Sequence, residues 1–443
     1  MKNFKFGYIL QIAVVMAVIL VIGGNVLPKY TSRLVLLAVL AAVDMLYWLS
    51  VQKAFMPRFR KVLTVAYWLP LYMLLLFFIS GFISPYPLWP SFFRVYFPGI
   101  VMILLIGKGI FLSLLIASDL FIIPLNLIKR IDPEDTGKPG GWYRPRSFLL
   151  TGAGISAFVM LIYFLGMFFW VANYKLHTVE LPVRNLPEAF NGYKIVQISD
   201  IHLGTFISDR PLRKIIKIIN DQQADVIFFT GDLVNFNTYE AYPYEQEMKN
   251  IKAKDGIFTI LGNHDYGEYS TWESQEAKDL NNSDLLGFYN RIGWHLLMNK
   301  SVLLKRDSAL IAVIGVENWS ASKRFGKKGD LKKAVLGTES AQFKILLSHD
   351  PSHWDGEINS LYPDIDLTLS GHTHAFQLAF ERGKLKWSPA SLIFKQWGGL
   401  YEKIHPNGAI QYLYVNRGLG TLGYPGRIAT RPEITLIILR KAE

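Results

Sequence analysis

Two patterns of apolar positions divide this chain. From residue 1 to about residue 172, apolar residues run on without the polar face that a water-soluble helix carries. A bilayer takes about 20 residues per helical span. Five runs meet that length, at Phe6–Val26, Leu34–Val51, Leu63–Ile83, Phe97–Ile123 and Phe148–Ala172. The first is read as a span and not a cleaved signal, because Gly23-Gly24-Asn25-Val26 makes a poor small-x-small cleavage site. From Asn173 onward, short apolar runs alternate with amphipathic segments. Buried strands are expected at Lys194–Ile198, Asp225–Thr230, Gly256–Leu261, Ala309–Val316, Phe343–Leu347, Leu367–Leu369, Ile410–Val415 and Ile434–Leu439. Ser208-Asp209-Arg210-Pro211 starts a helix, followed at helical spacing by Leu212, Ile215, Ile216 and Ile219. Ser270-Thr271-Trp272-Glu273 has capping-box spacing ahead of another helix. Strands alternating with helices give an α/β domain over 173–443, preceded by an all-α transmembrane region over 1–172.

Charge follows the same division. The chain carries 47 Lys+Arg and 35 Asp+Glu, a net of +12. Residues 1–172 hold 15 basic and 5 acidic residues, a net of +10, which leaves +2 for the remainder. The basic excess therefore sits in membrane loops and gives no sign of nucleic acid binding. The N-terminal, second and fourth loops hold 11 Lys or Arg, including Lys53, Arg58, Lys61, Lys129, Lys138 and Arg144. The other two loops hold three, Lys29, Arg33 and Arg94. The positive-inside rule then puts the N-terminus in the cytoplasm, and five spans put everything after Ala172 outside, at the face of the cell (inner) membrane. Lys108 and Asp119 fall inside the fourth run. They are read as lying near the ends of a long helix, where Lys snorkels and Asp reaches water; a charge at membrane depth is also a functional candidate. There is no cysteine, which excludes disulfides, iron–sulfur clusters and thiolate zinc sites.

The candidate chemistry is concentrated where the expected strands end. Gln197-Ile198-Ser199 runs into Asp200-Ile201-His202. Phe228-Phe229-Thr230 runs into Gly231-Asp232, and Ile260-Leu261 into Gly262-Asn263-His264-Asp265. Leu346-Leu347-Ser348 precedes His349, and Leu369-Ser370 precedes Gly371-His372-Thr373-His374. Carboxylates, an amide and imidazoles gathered at strand ends suit hard or borderline divalent cations. A carboxylate can bridge two cations with its two oxygens. A cation pair about 3.5–4 Å apart generates a nucleophilic hydroxide and stabilises both oxygens of an in-line displacement at phosphorus.

These blocks, D-x-H, G-D, G-N-H-[DE], a lone H and G-H-x-H, resemble the calcineurin-like metallophosphoesterase superfamily over about residues 190–440. Tyr414-Val415-Asn416-Arg417-Gly418-Leu419-Gly420, followed by Pro432-Glu433-Ile434, is similar to the ending of its membrane-associated bacterial branch. The resemblance implies an αββα sandwich and two divalent metal ions, Mn, Fe or Zn. It implies that Asp200, His202, Asp232 and His374 hold one, and that Asp232, Asn263, His349 and His372 hold the other, with Asp232 bridging. His264 would act on the phosphoryl oxygens or leaving group, oriented by Asp265. The implied activity is a membrane-anchored phosphoesterase hydrolase, of phosphodiesterase or pyrophosphohydrolase type, acting by attack of metal-bound hydroxide. The alternative is a catalytically silent membrane receptor or scaffold on the same fold. One departure stands out: many relatives carry two glycines after G-H-T-H, where this chain has Ala375 and Phe376.

The remaining histidines read as packing or surface (His295), a possible neighbour of the site (His353) and a solvent-exposed turn (His405). Arg417 is either a phosphate contact or an incidental member of a glycine-shaped turn. The segment from Phe376 to Tyr401, with Phe380, Leu385, Trp387, Leu392, Ile393 and Phe394 among Lys384, Lys386 and Lys395, suits either a membrane interface or a sheet core. The first choice makes the bilayer a partner and the substrate an amphiphilic, lipid-linked phosphate. The loop Ser84–Tyr96, with Tyr86, Trp89, Phe92, Phe93 and Arg94, belongs to the same surface on that reading.

Overall fold

The computed structural model describes residues 31–52, 57–131, 145–383, 385–406 and 408–442. The run Phe6–Val26, with Lys2, Lys5, Lys29, Lys53, Lys138, Arg144 and Lys384, lies outside the described residues. The chain forms two compact units, residues 1–84 with 100–162, and residues 85–99 with 163–443.

The first unit is helical. Helix α1 covers Thr31–Val51, α2 Arg60–Ile83, α3 Ser91–Ile131 and α4 Arg146–Leu165. Among the described residues, Arg60–Gly81, Ser91–Leu120 and Arg146–Trp170 are long and apolar enough to cross a membrane. The expected second span forms α1. Lys108 does not snorkel but is paired within the unit. Its Nζ lies 2.6 Å from Asp44 of α1, with both side chains nearly enclosed. It also donates to the Tyr67 carbonyl of α2 at 2.9 Å.

The second unit is built on two six-stranded sheets. In the first, β1 (Lys175–Val183) pairs with β14 (Glu433–Lys441), which pairs with β2 (Lys194–Ile198). Then come β3 (Val226–Phe229), β4 (Ile257–Thr259) and β5 (His295–Leu296), all parallel to β2. In the second sheet, β7 (Ala309–Gly315), β8 (Phe343–Leu347), β9 (Leu367–Ser370) and β13 (Ile410–Val415) run parallel. It is edged by antiparallel β6 (Lys300–Arg306) and β12 (Gly399–Ile404). A separate hairpin pairs β10 (Phe380–Arg382) with β11 (Leu385–Trp387).

Strand alternation sorts the side chains into layers. Ile195, Val226 and Phe228 point between the sheets and meet Ile311, Val313, Phe343 and Leu367 there. Val196, Ile198, Ile227 and Phe229 point outward, under α5 (Arg210–Asp221) and α6 (Gln275–Ile292). On the far face, Ile314, Leu346 and Leu413 pack against Leu331, Trp354 and Ile358. The result is a four-layer αββα sandwich. The expected central strands all form. Helix α6 starts later than its capping-box spacing suggested: Ser274, not Ser270, is the cap, its Oγ accepting from Ala277 N at 3.2 Å. Trp272 instead turns back to donate to the Gly267 carbonyl.

Candidate metal centre

Parallel strands bring their carboxyl ends to one edge, and both sheets deliver side chains there. β2, β3 and β4 lead into Asp200, Asp232 and Asn263; β8 and β9 lead into His349 and His372. Gln197 Nε2, on β2, donates to the Ser370 carbonyl on β9 at 2.9 Å and ties the sheets together below this edge. Two sets of ligand atoms converge, each within 4.8 Å: Asp200, His202 and His374, and Asp232, His349 and His372. In the first set, His374 Nε2 lies 3.1 Å from His202 Nε2 and 3.2 Å from Asp200 Oδ1. In the second, His349 Nε2 lies 3.3 Å from His372 Nδ1.

Asp232 joins the sets through a single oxygen. Oδ1 accepts from the main-chain N–H of His264 at 2.8 Å. Oδ2 lies 3.1 Å from His349 Nε2 and 3.7 Å from His202 Nε2. The expectation that each oxygen takes one cation therefore changes: only Oδ2 faces both sets.

The protein fixes the other donors. Main-chain carbonyls can only accept, so the Nδ1 atoms beside them carry a proton and Nε2 is the atom that faces a ligand. Val234 serves His202 in this way at 3.2 Å, Thr230 serves His349 at 2.7 Å, and Asn235 serves His264 at 2.8 Å. Asn263 Nδ2 donates to the Tyr269 hydroxyl at 2.8 Å, while its buried Oδ1 has no partner. An orphaned amide oxygen beside inward-facing imidazole Nε2 atoms and carboxylates is the kind of ligand set that divalent cations require. Charge agrees. Burial would raise the Asp200 and Asp232 carboxyls, yet His374 and His349 respectively hold them below the usual range. Burial would lower His349, but Asp232 carries it up to about 10, so without a cation a proton sits on Nε2 where a cation would displace it, whereas burial takes His202 down to about 3. Two buried carboxylates thus recruit positive charge, and the residues present fit a cation pair.

Backbone strain accompanies the site. Asp200, His202, Asp232, His372 and His374 all have φ between 47° and 69°. Ala375, Phe376 and Gln377 continue the left-handed run, at φ 50°, 47° and 57°. Non-glycine residues rarely adopt this region, which explains why glycines suit the two positions after G-H-T-H.

Two expectations change in detail. Asp265 makes no hydrogen bond to the His264 imidazole. Its carboxylate accepts from the N–H groups of Asp232, Leu233, Val234 and Gly262, locking the loops after β3 and β4 together. Arg417 is held between Glu433 and Glu381, each at 2.5 Å, so its guanidinium is engaged by carboxylates. His353 is buried one step behind the centre, 2.8 Å from Ser348 Oγ and stacked on Trp319. His295 is exposed, and His405 is half-buried in the β12–β13 turn beside Gln411. Sequence reasoning missed Asp350, which is fully buried with Oδ2 3.6 Å from His372 Nε2. Its only signal was an acid directly after a candidate ligand. Tyr269, whose ring lies 4.2 Å from His264, carried no signal at all.

Residues 193–376 match the calcineurin-like phosphoesterase family. The chain is 30% identical to the uncharacterised metallophosphoesterase YkuE of Bacillus subtilis, over 61% of this chain and 88% of that one. It is 30% identical to a transmembrane protein with metallophosphoesterase domain of Danio rerio, over 60% of this chain. There the match spans only 58% of the relative's length. It is 29% identical to the UDP-2,3-diacylglucosamine pyrophosphatase LpxG of Chlamydia trachomatis, over 65% of this chain and 98% of that one. This chain belongs to the calcineurin-like phosphoesterase family, whose members use a dinuclear metal site. Among the described residues, three apolar helices long enough to cross a membrane support a membrane location.

Proposed function

We propose that this protein is a membrane-anchored hydrolase that cleaves a phosphate ester or diphosphate of an amphiphile. The observation that carries the reaction class is the shared Asp232 Oδ2 between two ligand sets, with the Asn263 oxygen unpartnered beside them. Asp200, His202, Asp232 and His374 would hold one cation; Asp232, Asn263, His349 and His372 would hold the other. Bound divalent cations supply Lewis-acid stabilisation of charge building on phosphoryl oxygens and a nucleophilic water at neutral pH. His264, with its Nδ1 proton held by the Asn235 carbonyl, would donate to the phosphoryl or leaving oxygen from Nε2 when that nitrogen carries a second proton.

The amphiphile is supported by an apolar lip beside the centre. Phe394 lies 5.4 Å from the His372 ring, edge-on, and 6.3 Å from Phe376. Beyond it Phe376, Phe380, Leu385, Trp387, Leu392 and Ile393 are exposed, up to 83% for Leu392. These groups do not fill a sheet core, because the β10–β11 hairpin stands apart from both sheets. LpxG, whose name describes a diacylated sugar nucleotide as its substrate, supports the same choice. The membrane-proximal segments agree: Tyr96 stacks on Phe168, and Arg94 Nη2 donates to the Gly204 carbonyl in the loop after His202.

The test compares kcat/KM for a lipid-linked phosphate ester in micelles with that for its water-soluble head group. The micellar substrate should be favoured, and Trp387→Ser with Ile393→Ser should reduce that advantage. Equal values, unchanged in the variant, would overturn the amphiphile.

A further inference from the structure

A second feature flanks the centre opposite the apolar lip. A cavity of about 400 Å³ opens at Asn263 and extends outward between the loop 263–269 and the loop 318–328. Its inner wall carries Tyr266, Tyr269 and Asn318, and its outer wall Lys323 and Arg324. Phe325 closes one side, its ring 4.6 Å from that of His372. His372 therefore stands between Phe325, facing the cavity, and Phe394, facing the lip.

The chemistry of this cavity is specific. Lys323 and Arg324 form no ion pair with any described residue. The lining carboxylate, Glu268, is already 2.8 Å from Lys278 and 4.0 Å from Lys328. Asn318 is 2% exposed; its Nδ2 donates to the Phe325 carbonyl at 2.5 Å, while its Oδ1 is buried without a partner. The cavity so offers two uncommitted cations, one uncommitted buried acceptor and aromatic walls, starting at a candidate metal ligand.

We infer that this cavity binds a second phosphate, carried by a polar head group with hydroxyl or amide donors, and that the scissile link is the P–O–P bond of a diphosphate. The inference rests on the phosphoesterase reading and narrows it. Asp232, Asn263, His349 and His372, which would hold a cation at the mouth of the cavity, would receive the phosphoryl group that water attacks; Lys323 and Arg324 take the other phosphate, and Asn318 Oδ1 accepts from the head group. Water's oxygen forms one P–O bond, and the bridging P–O bond breaks with its electron pair going to the departing phosphate. The two protons of water end one on each monophosphate, so no further reactant is needed. A simple monoester leaves the two cations without a partner.

The test uses the full chain in detergent micelles with Mn²⁺ and two non-hydrolysable probes, methylenediphosphonate and methylphosphonate, titrated calorimetrically. The wild type should bind the diphosphonate more tightly. Lys323→Gln with Arg324→Gln, both at exposed positions, should cut that preference about tenfold or more, the scale of losing charge-assisted hydrogen bonds. For a diphosphate diester the same variant should raise KM with kcat nearly kept. A preference retained in the variant, or an equal weakening for both probes, overturns the inference. A Lys323- and Arg324-dependent preference in a protein that hydrolyses no phosphate ester would uphold the cavity and overturn the phosphoesterase reading instead.

Discussion

The residue that organises the centre is Asp232, since one of its oxygens faces both ligand sets. Asp232→Asn halves that oxygen's claim on charge and offers a donor in its place. It should abolish hydrolysis and lower metal content, read by elemental analysis, while the fold survives. His264 behaves differently because its Nε2 belongs to neither set. His264→Ala should cost about 10²–10⁴-fold in kcat, the usual worth of acid–base help, with metal content kept; equal loss of both would make His264 a ligand. Away from the centre, Glu433 is fully buried among Arg417, Tyr414 and Thr435. Burial would raise its carboxyl, but Arg417 first and then His177 bring it to about 2. The folded value lies below the usual one, so the ionised form stabilises the fold above about pH 4.5. That stability, on the order of 3 kcal/mol, is lost as pH falls from about 4.5 through 2. Glu433→Gln should therefore destabilise the protein at pH 7, by urea titration, and flatten this acid limb. An unchanged acid limb would show that Glu433 is not the group responsible.

At the scale of elements, the central parallel strands were legible because both faces are buried and their sequences are largely apolar. β2, β3, β8 and β9 are of this kind, and they carry the candidate ligands, so most of the candidate site was legible with them. The edges were not. β1 and β12 alternate exposed and covered positions without a strong apolar signal, and the β10–β11 hairpin is exposed throughout. Tyr269 and the carbonyls of Thr230, Val234 and Asn235 were invisible, and Asp350 nearly so, since their roles depend on loops meeting in space. The glycines of the motifs become intelligible only here. A Cβ on Gly371 would come 2.3 Å from Asp200 Oδ2 and closer still to Ser199 Oγ. On Gly418, at φ 74°, it would come 2.7 Å from the Asp200 Cβ and 3.2 Å from His374 Nδ1. Gly371→Ala should thus displace Asp200 and lose cation from the Asp200–His202–His374 set before the other. Retention of full, two-site occupancy by titration with Mn²⁺ would contradict this.

At the scale of the whole molecule, orientation in the membrane can be argued without counting every span. Residues 85–99 and 163–443 form one unit, so the start of α3 and the end of α4 lie with the catalytic sheets. If α3 and α4 each cross once, as their apolar lengths allow, the segment joining them lies on the opposite side. That segment and its flanks carry Lys129, Arg130, Lys138, Arg144 and Arg146. On the positive-inside rule we propose that it faces the cytoplasm and that the metal centre faces outward, whatever the number of spans before α3. The absence of cysteine makes the test clean. Thr136→Cys and Ser391→Cys place single thiols in the connecting segment and at an exposed position of the apolar lip. In intact cells, or spheroplasts where an outer membrane is present, a membrane-impermeant maleimide should label the thiol at 391. The thiol at 136 should react only after permeabilisation. The reverse pattern would put the centre in the cytoplasm, and with it the leaflet from which an amphiphilic phosphate is drawn.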